Sequence, residues 1–264
     1  MFRLTREVRF AVNSDDPSPA AYNGHAGYPP LTGLGIFASL QVTIAGELNP
    51  ISSCLLDIKE IDAVVRRDGI AIVKSFLDQD RPNACGLLLQ RLFDCFRQTW
   101  PGLFKARLNL SPYLAVSVTA GEYPMVRSSQ KFEFSAAHRL HNPALSHEQN
   151  VALFGKCNNP HGHGHNYEIE VTLRGKPDES GQLLPVQKLE EIVAATVIAK
   201  FDHKFLNQEV AELSGLNPTV ENIAQVAFHL LKPRIAAARS SSSGVELAAV
   251  TVWETPKTWC EYSE

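Results

Sequence analysis

Residues 157–175 read Cys157-Asn-Asn-Pro-His-Gly-His163-Gly-His165-Asn-Tyr-Glu-Ile-Glu-Val-Thr-Leu-Arg-Gly175. From Tyr167 to Arg174 apolar and polar side chains alternate, which predicts a β-strand with one buried and one exposed face. His163 and His165 lie two residues apart, so on an extended chain both imidazoles leave the same face, close enough to share one metal ion. Upstream, Phe132-Glu-Phe-Ser-Ala-Ala-His138 also alternates and ends on a third histidine, which a neighbouring antiparallel strand would bring beside the pair. Three neutral imidazoles with an open fourth position are the pattern of catalytic zinc, because a structural site closes all four positions with protein ligands. His161 extends the run into a His-rich tract that suits a metal on composition alone. Spacing by itself leaves two readings open, a metal site and a set of ordinary hydrogen-bonded histidines.

Outward from this stretch the C-terminal half continues in a regular order. In Gln187–Lys200 the residues Leu189, Ile192, Val193, Thr196 and Val197 fall on one helical face, as do Ile223, Val226, Ala227, Leu230 and Leu231 in Val220–Leu231. Thr219, after Pro218, is placed to cap the second helix, its hydroxyl accepting from an otherwise unpaired amide. Arg239–Gly244 reads as a flexible loop, and Val245–Trp253 with Thr258–Tyr262 as a closing hairpin. The predicted order is ββααββ, an α+β unit in which two helices cover one face of a four-stranded antiparallel sheet.

The N-terminal half reads as a worn copy of the same unit. Leu31-Thr-Gly33-Leu34-Gly35-Ile36-Phe37 through Gly46 lays over His161–Gly175 with two glycines in register, but Leu34 and Ile36 stand where His163 and His165 stand. Ser14 falls near the place of His138, Tyr28 near that of Cys157 and Ser111 near that of Glu254. Leu55–Ile61 and Asn83–Phe96 match the two helices, and Ala106–Thr119 the last hairpin. An internal repeat of this length implies two tandem units of one fold, expected here as residues 1–126 and 127–264. Aliphatic side chains donate no lone pair, so a metal is expected in the second unit only.

Composition sets the class. The 264 residues, 44% hydrophobic and 20% charged, are ordinary for a globular protein. No run approaches the twenty apolar residues of a membrane span, and Met1–Glu7 lacks the apolar stretch of a signal peptide, so a cytoplasmic location is expected. Five cysteines without regular spacing argue for free thiols. A net charge of −3 gives no global attraction for nucleic acid.

The blocks Phe134-Ser-Ala-Ala-His138-Arg-Leu, Leu153-Phe-Gly-Lys-Cys157 through Tyr167, Phe201-Asp202-His203-Lys-Phe-Leu-Asn207, Pro218-Thr219-Val-Glu221-Asn222 and Val252-Trp-Glu254-Thr255 together resemble the 6-pyruvoyl-tetrahydropterin synthase family, whose units share the tunnelling fold. The resemblance covers roughly residues 128–264, and the six-residue step from Cys157 to His163 is similar to the tetrahydrobiopterin-type enzymes. It implies a zinc-dependent carbon–oxygen lyase that eliminates triphosphate from 7,8-dihydroneopterin triphosphate, without a redox cofactor. Two alternatives stand beside it: the 6-carboxytetrahydropterin synthase of queuosine synthesis, and a pterin- or zinc-binding module without turnover.

The same resemblance assigns roles. His138, His163 and His165 become the zinc ligands and Cys157 the base that removes a carbon-bound proton, a role that a nearby dication favours by stabilising thiolate. Asp202 and His203 resemble a proton-transfer pair in which the carboxylate fixes the imidazole tautomer. Glu254 resembles the pterin anchor, and Thr219 and Glu221 secondary contacts to the pterin; both also suit a plain helix start. Arg139, Lys156 and Lys204 could meet the triphosphate. Family units pair edge strands into closed rings, so a homo-oligomer is expected, a trimer of two-domain chains in which the second domains form one ring and the inert first domains another.

Overall fold

The computed structural model describes residues 1–12, 27–31, 33–79, 81, 83–238 and 244–264. The chain forms two compact units, Met1–Ser128 with Gly175–Leu183, and Ser129–Arg174 with Leu184–Glu264. Ser14 and residues 239–243 of the expected loop lie outside the described residues.

In the first unit, strands β1 (Phe2–Ala11) and β2 (Phe37–Gly46) pair antiparallel, Val8 opposite Leu40. Helix α1 (Ile58–Val64) passes through a π-helical turn at Val65–Gly69 into α2 (Ile70–Asp78), and α3 (Cys85–Thr99) follows. Strands β3 (Leu103–Asn109) and β4 (Leu114–Thr119) complete the order β1-β2-β3-β4. Val8, Leu40, Ile61, Leu89, Leu92, Phe96 and Leu108 form its core. Arg6 reaches from the sheet to buried Asp62 of α1 with two hydrogen bonds of 2.8 Å, a bidentate geometry that leaves neither charge unpaired.

The second unit is built on β5 (Val126–His138) and β6 (His163–Gly175), side by side in the sheet, with α4 (His147–Phe154) between them in sequence. Helix α5 (Val186–Val193) again runs through a π turn, Ala194–Ile198, into α6 (Ala199–Phe201). The two-residue strand β7 (Lys204–Phe205) pairs parallel with β5, and α7 (Leu206–Glu209) precedes α8 (Val220–Ala238). Strands β8 (Glu246–Thr255) and β9 (Thr258–Tyr262) give the order β5-β6-β8-β9, with β6–β8 and β8–β9 antiparallel. Helix α8 lays Ile223, Ala224, Ala227, Phe228 and Leu231 into the core against β8 and β9.

Two differences from the expected elements have local causes. Helix α4 was not expected, although Ser146 and Gln149 form a capping box, in which side chain and backbone satisfy each other's free amides at a helix start. Helix α8 continues past Leu231 and through Pro233 to Ala238; Ile235, 1% exposed, holds the last turns on the core.

Alternation along β5 puts Phe134, Ala136 and His138 on the buried face, and along β6 puts Tyr167 and Ile169 there, with His163 and His165 leading into it. Phe134 stacks on Tyr167 at 5.0 Å and meets Phe201 edge-on at 5.7 Å. This aromatic layer separates the core from the histidines. Phe134→Ala should lower unfolding stability by about 3–5 kcal/mol, the usual cost of deleting a buried ring and leaving a cavity, as read from the midpoint of denaturant unfolding.

Candidate metal centre and active site

The ends of β5, β6 and β8 converge on one cluster. His138 is the last residue of β5 and completely buried. Its Nδ1 lies 2.6 Å from the Pro218 carbonyl just ahead of α8. A carbonyl only accepts, so the Nδ1–H donates and the lone pair is left on Nε2, pointing at the opening of β6. There the His163 Nε2 lies 3.1 Å away, and the candidate ligand atoms of His138, His163 and His165 all fall within 4.8 Å of one another. Among the described residues this is the one group of three or more such donors, and it lies in the second unit.

The fit to a metal rests on the donor chemistry. Buried His163 Nδ1 and His165 Nε2 have no hydrogen-bond partner among the described residues, an arrangement that costs free energy unless something else engages the imidazoles. The carbonyl behind His138 is the support expected behind a metal-bound imidazole, because it fixes tautomer and ring orientation. Burial holds all three imidazoles below the usual histidine range; Glu254 opposes that shift, and the neighbouring histidines reinforce it. The site therefore presents neutral rings, the form that binds a metal.

Glu254 closes the cluster. It follows buried Val250 and Val252 on the same face of β8, and the β8–β9 ladder skips it, passing from Trp253–Trp259 to Thr255–Thr258. Its Oε1 lies 3.4 Å from His138 Nε2 and 3.7 Å from His165 Nε2. The sequence pointed to Glu254 as a pterin contact, but it did not signal this closeness to the histidines.

Tyr167 escaped the sequence reading. Its ring stands 5.6 Å from that of His165 and 6.2 Å from that of His138, and its buried hydroxyl has no partner among the described residues. Burial, followed by the negative charges of Glu254 and Cys157, pushes the phenol far above its ordinary range. The available signal was its place two residues after His165, on the ligand face of the same strand. Cys157 belongs to the segment between β5 and β6. The thiol lies in the short helical turn Gly155–Asn158, is half-buried, and its carbonyl accepts from Leu140 N at 2.8 Å.

The loop leaving His138 is held by asparagines. Asn207 accepts from Arg139 N and donates to Arg139 O, both at 2.8 Å, and Asn217 accepts from His141 N. Buried Asn150 accepts from Asn142 N at 2.7 Å. These amides satisfy backbone groups that no strand or helix pairs. The Arg139 guanidinium donates to the Asn158 side chain, Lys204 pairs with Glu209 at 3.2 Å, and Lys156 is exposed.

The remaining expected residues stand apart from the histidine cluster. Asp202 accepts from Ser135 N at 2.9 Å and from His203 Nδ1 at 2.8 Å, and these bonds, the backbone one first, hold its carboxyl below the usual range. His203 adopts φ 56° and donates its N–H to Ser135 O at 2.6 Å, while its side chain is 83% exposed. With Ser135–Ala137 and Gly164–Asn166, His165 among them, His203 lines an open cavity of about 480 Å³. Thr219 accepts from Asn222 N at 3.4 Å, a long capping bond, and Glu221 acts on Cys260, helping to raise its thiol pKa after burial.

An α+β unit with three convergent neutral histidines and a carboxylate at its mouth defines a metal-site protein. The 6-pyruvoyl tetrahydropterin synthase family matches residues 127–264. The 6-pyruvoyl tetrahydrobiopterin synthase of Drosophila melanogaster is 36% identical over 147 residues, 53% of this chain and 81% of the fly protein. The human enzyme of that name is 41% identical over 97 residues, 36% of this chain and 67% of its own. A 6-carboxy-5,6,7,8-tetrahydropterin synthase of Haemophilus influenzae is 28% identical over 161 residues, covering 53% of this chain and all of that one. The solved 6-pyruvoyl tetrahydropterin synthase of Caenorhabditis elegans is 37% identical with a TM-score of 0.47, over 53% of this chain and 96% of its own. The chain belongs to the 6-pyruvoyl tetrahydropterin synthase family, a family of enzymes. No described helix is long and apolar enough to cross a membrane.

The histidine shifts have a sign that can be measured. Imidazoles held below their ordinary range exclude protons from the folded state, whereas in the unfolded chain they titrate near about 6.5. Below that value the unfolded state binds more protons, so stability is complete above it and is lost as pH falls toward the folded pKa values. Metal-free protein should show a flat denaturation midpoint above about pH 7 and a decline as pH falls below about 6.5, and His138→Gln should flatten that decline. An equal slope in the variant would remove His138 from the titrating set.

Proposed function

We propose that the second unit is a zinc-dependent pterin synthase that eliminates triphosphate from 7,8-dihydroneopterin triphosphate to give 6-pyruvoyl-tetrahydropterin. The observation that carries this reading is the convergence of His138, His163 and His165, their ligand atoms within 4.8 Å of one another, with Glu254 Oε1 3.4 Å from His138 and 3.7 Å from His165, in a chain of this family. Zinc held by the three histidines supplies Lewis acidity toward the substrate's side-chain hydroxyls. Glu254 orients the pterin, its two oxygens accepting from the exocyclic amine and the ring nitrogen, while Thr219 and Glu221 stand near the start of α8 as secondary contacts.

Cys157 takes a carbon-bound proton as thiolate, the carbon–oxygen bond to the triphosphate breaks, and triphosphate leaves with the bonding electron pair. Proton transfers then move hydrogen between side chain and ring, an internal oxidation and reduction that balances without a redox cofactor. Asp202 holds His203 Nδ1 so that Nε2 is free to relay protons. In this reading the exposed His203 imidazole serves the site of a second copy. The functional particle is a trimer of chains in which the second units form the working ring.

The first unit is a degenerate copy in this reading. Supporting it are the frame of two strands, two long helices and two strands common to both units, to which the second adds α4, β7 and α7, the π turn within the first long helix of each, and Leu34 and Ile36 at the positions of the histidines, both exposed just ahead of β2. A cytoplasmic location follows from the reducing compartment that five free thiols favour.

Incubating zinc-loaded protein with 7,8-dihydroneopterin triphosphate, with mass spectrometry of the products, tests the reaction. A pyruvoyl product with free triphosphate is expected; a 6-carboxy product would assign the queuosine-type reaction, and unchanged substrate would leave a binding module. Zinc analysis should return about one ion per chain. Cys157→Ala should lower turnover by roughly 10²–10⁴, the range for a lost general base, with zinc content and substrate affinity retained. Activity within a few-fold of wild type would remove the thiol from this role.

A further inference from the structure

Glu254 stands closer to the histidines than pterin recognition requires. With ligand bonds of about 2.0–2.2 Å, neighbouring donor atoms of a tetrahedral zinc site lie about 3.3 Å apart. The separations are 3.1 Å from His138 Nε2 to His163 Nε2, 3.4 Å from His138 Nε2 to Glu254 Oε1 and 3.7 Å from His165 Nε2 to Glu254 Oε1. Three of the six edges of such a tetrahedron are thus close to their bound length, while the three histidine donor atoms, within 4.8 Å of one another, would draw together on a metal that the carboxylate oxygen also reaches.

At His138 the hydrogen-bonding pattern excludes the simpler account of a carboxylate accepting from an imidazole. His138 places its proton on Nδ1, facing the Pro218 carbonyl at 2.6 Å, so in the neutral ring Nε2 is an acceptor. Two acceptors facing each other in a buried site repel, and a cation bound to both turns the repulsion into attraction. His165 Nε2, buried and unpartnered among the described residues, faces the same oxygen.

We propose that Glu254 is the fourth ligand of the metal in the substrate-free protein and gives up that corner when substrate arrives. This rests on the reading of the three histidines as a metal site. The exchange balances in charge and coordination: the carboxylate oxygen leaves, a substrate oxygen enters, and the released carboxylate turns to the pterin. Resting protein therefore holds its metal with four protein ligands, and the open position appears only with substrate.

Metal alone is the first probe. In competition with a chromophoric chelator, Glu254→Gln should weaken zinc binding by at least about tenfold, a change of about 1.4 kcal/mol, with an unchanged circular dichroism spectrum. Cobalt(II) in the wild-type protein should give the intense visible bands of a four-coordinate ion, and those of Glu254→Gln should shift and weaken as water replaces the carboxylate. Adding 7,8-dihydroneopterin should alter the wild-type cobalt spectrum much more than that of the variant. Wild-type zinc affinity and an unchanged cobalt spectrum in Glu254→Gln would place the carboxylate outside the coordination sphere and overturn the proposal, leaving the histidine site standing. If wild-type protein itself binds no zinc, and behaves as His163→Ala does, the metal reading fails and this proposal with it.

Discussion

The hydrogen bond from His138 Nδ1 to the Pro218 carbonyl, 2.6 Å long, is the constraint on which the site depends. It joins the end of β5 to the approach of α8, and both are needed to bury a polar ring completely. With the proton fixed on that side, the opposite nitrogen must face His163, His165 and Glu254. Everything that follows in the site is a response to that one bare nitrogen. Without the carbonyl the ring could reverse its tautomer, and the three strands would converge on a cluster unable to donate.

Around this point the second unit separates tasks by depth. Phe134, Phe201 and Tyr167 pack ring on ring, and Tyr167 carries that packing on to His138 and His165. Asparagines 150, 207 and 217 fix the loop leaving β5 without secondary structure. Neutral amides suit that task because they pair with backbone donors and acceptors alike while adding no charge beside the histidines. Asp202 and His203, by contrast, bond to Ser135 of β5 just ahead of β7, where the left-handed backbone of His203 at φ 56° accompanies an outward-facing imidazole.

The elements that carried a regular period were legible in the sequence: β5 and β6 from alternation, the helices over Val186–Phe201 and from Val220 onward from their apolar stripes, and β8 and β9 as a hairpin. The histidine cluster was legible because spacing on a strand fixes the face on which a side chain emerges. Tyr167 was not singled out, since an aromatic on a strand reads as ordinary core, and only the rings around it and its unpaired hydroxyl mark it out. Helix α4 was missed because its apolar face is short, its one buried residue being Asn150. The approach of Glu254 to His138 joins strands far apart in the chain, and sequence order carries no distance across a sheet.

The skipped rung at Glu254 has a consequence for how this site can change over time. A residue inside a regular ladder is constrained twice, by the chemistry of its side chain and by the register its backbone shares with the next strand. Here the pairing passes from Trp253 to Thr255, so position 254 carries the chemistry without sharing in the register. A substitution there alters what faces His138 and His165 without removing a rung of the β8–β9 pairing.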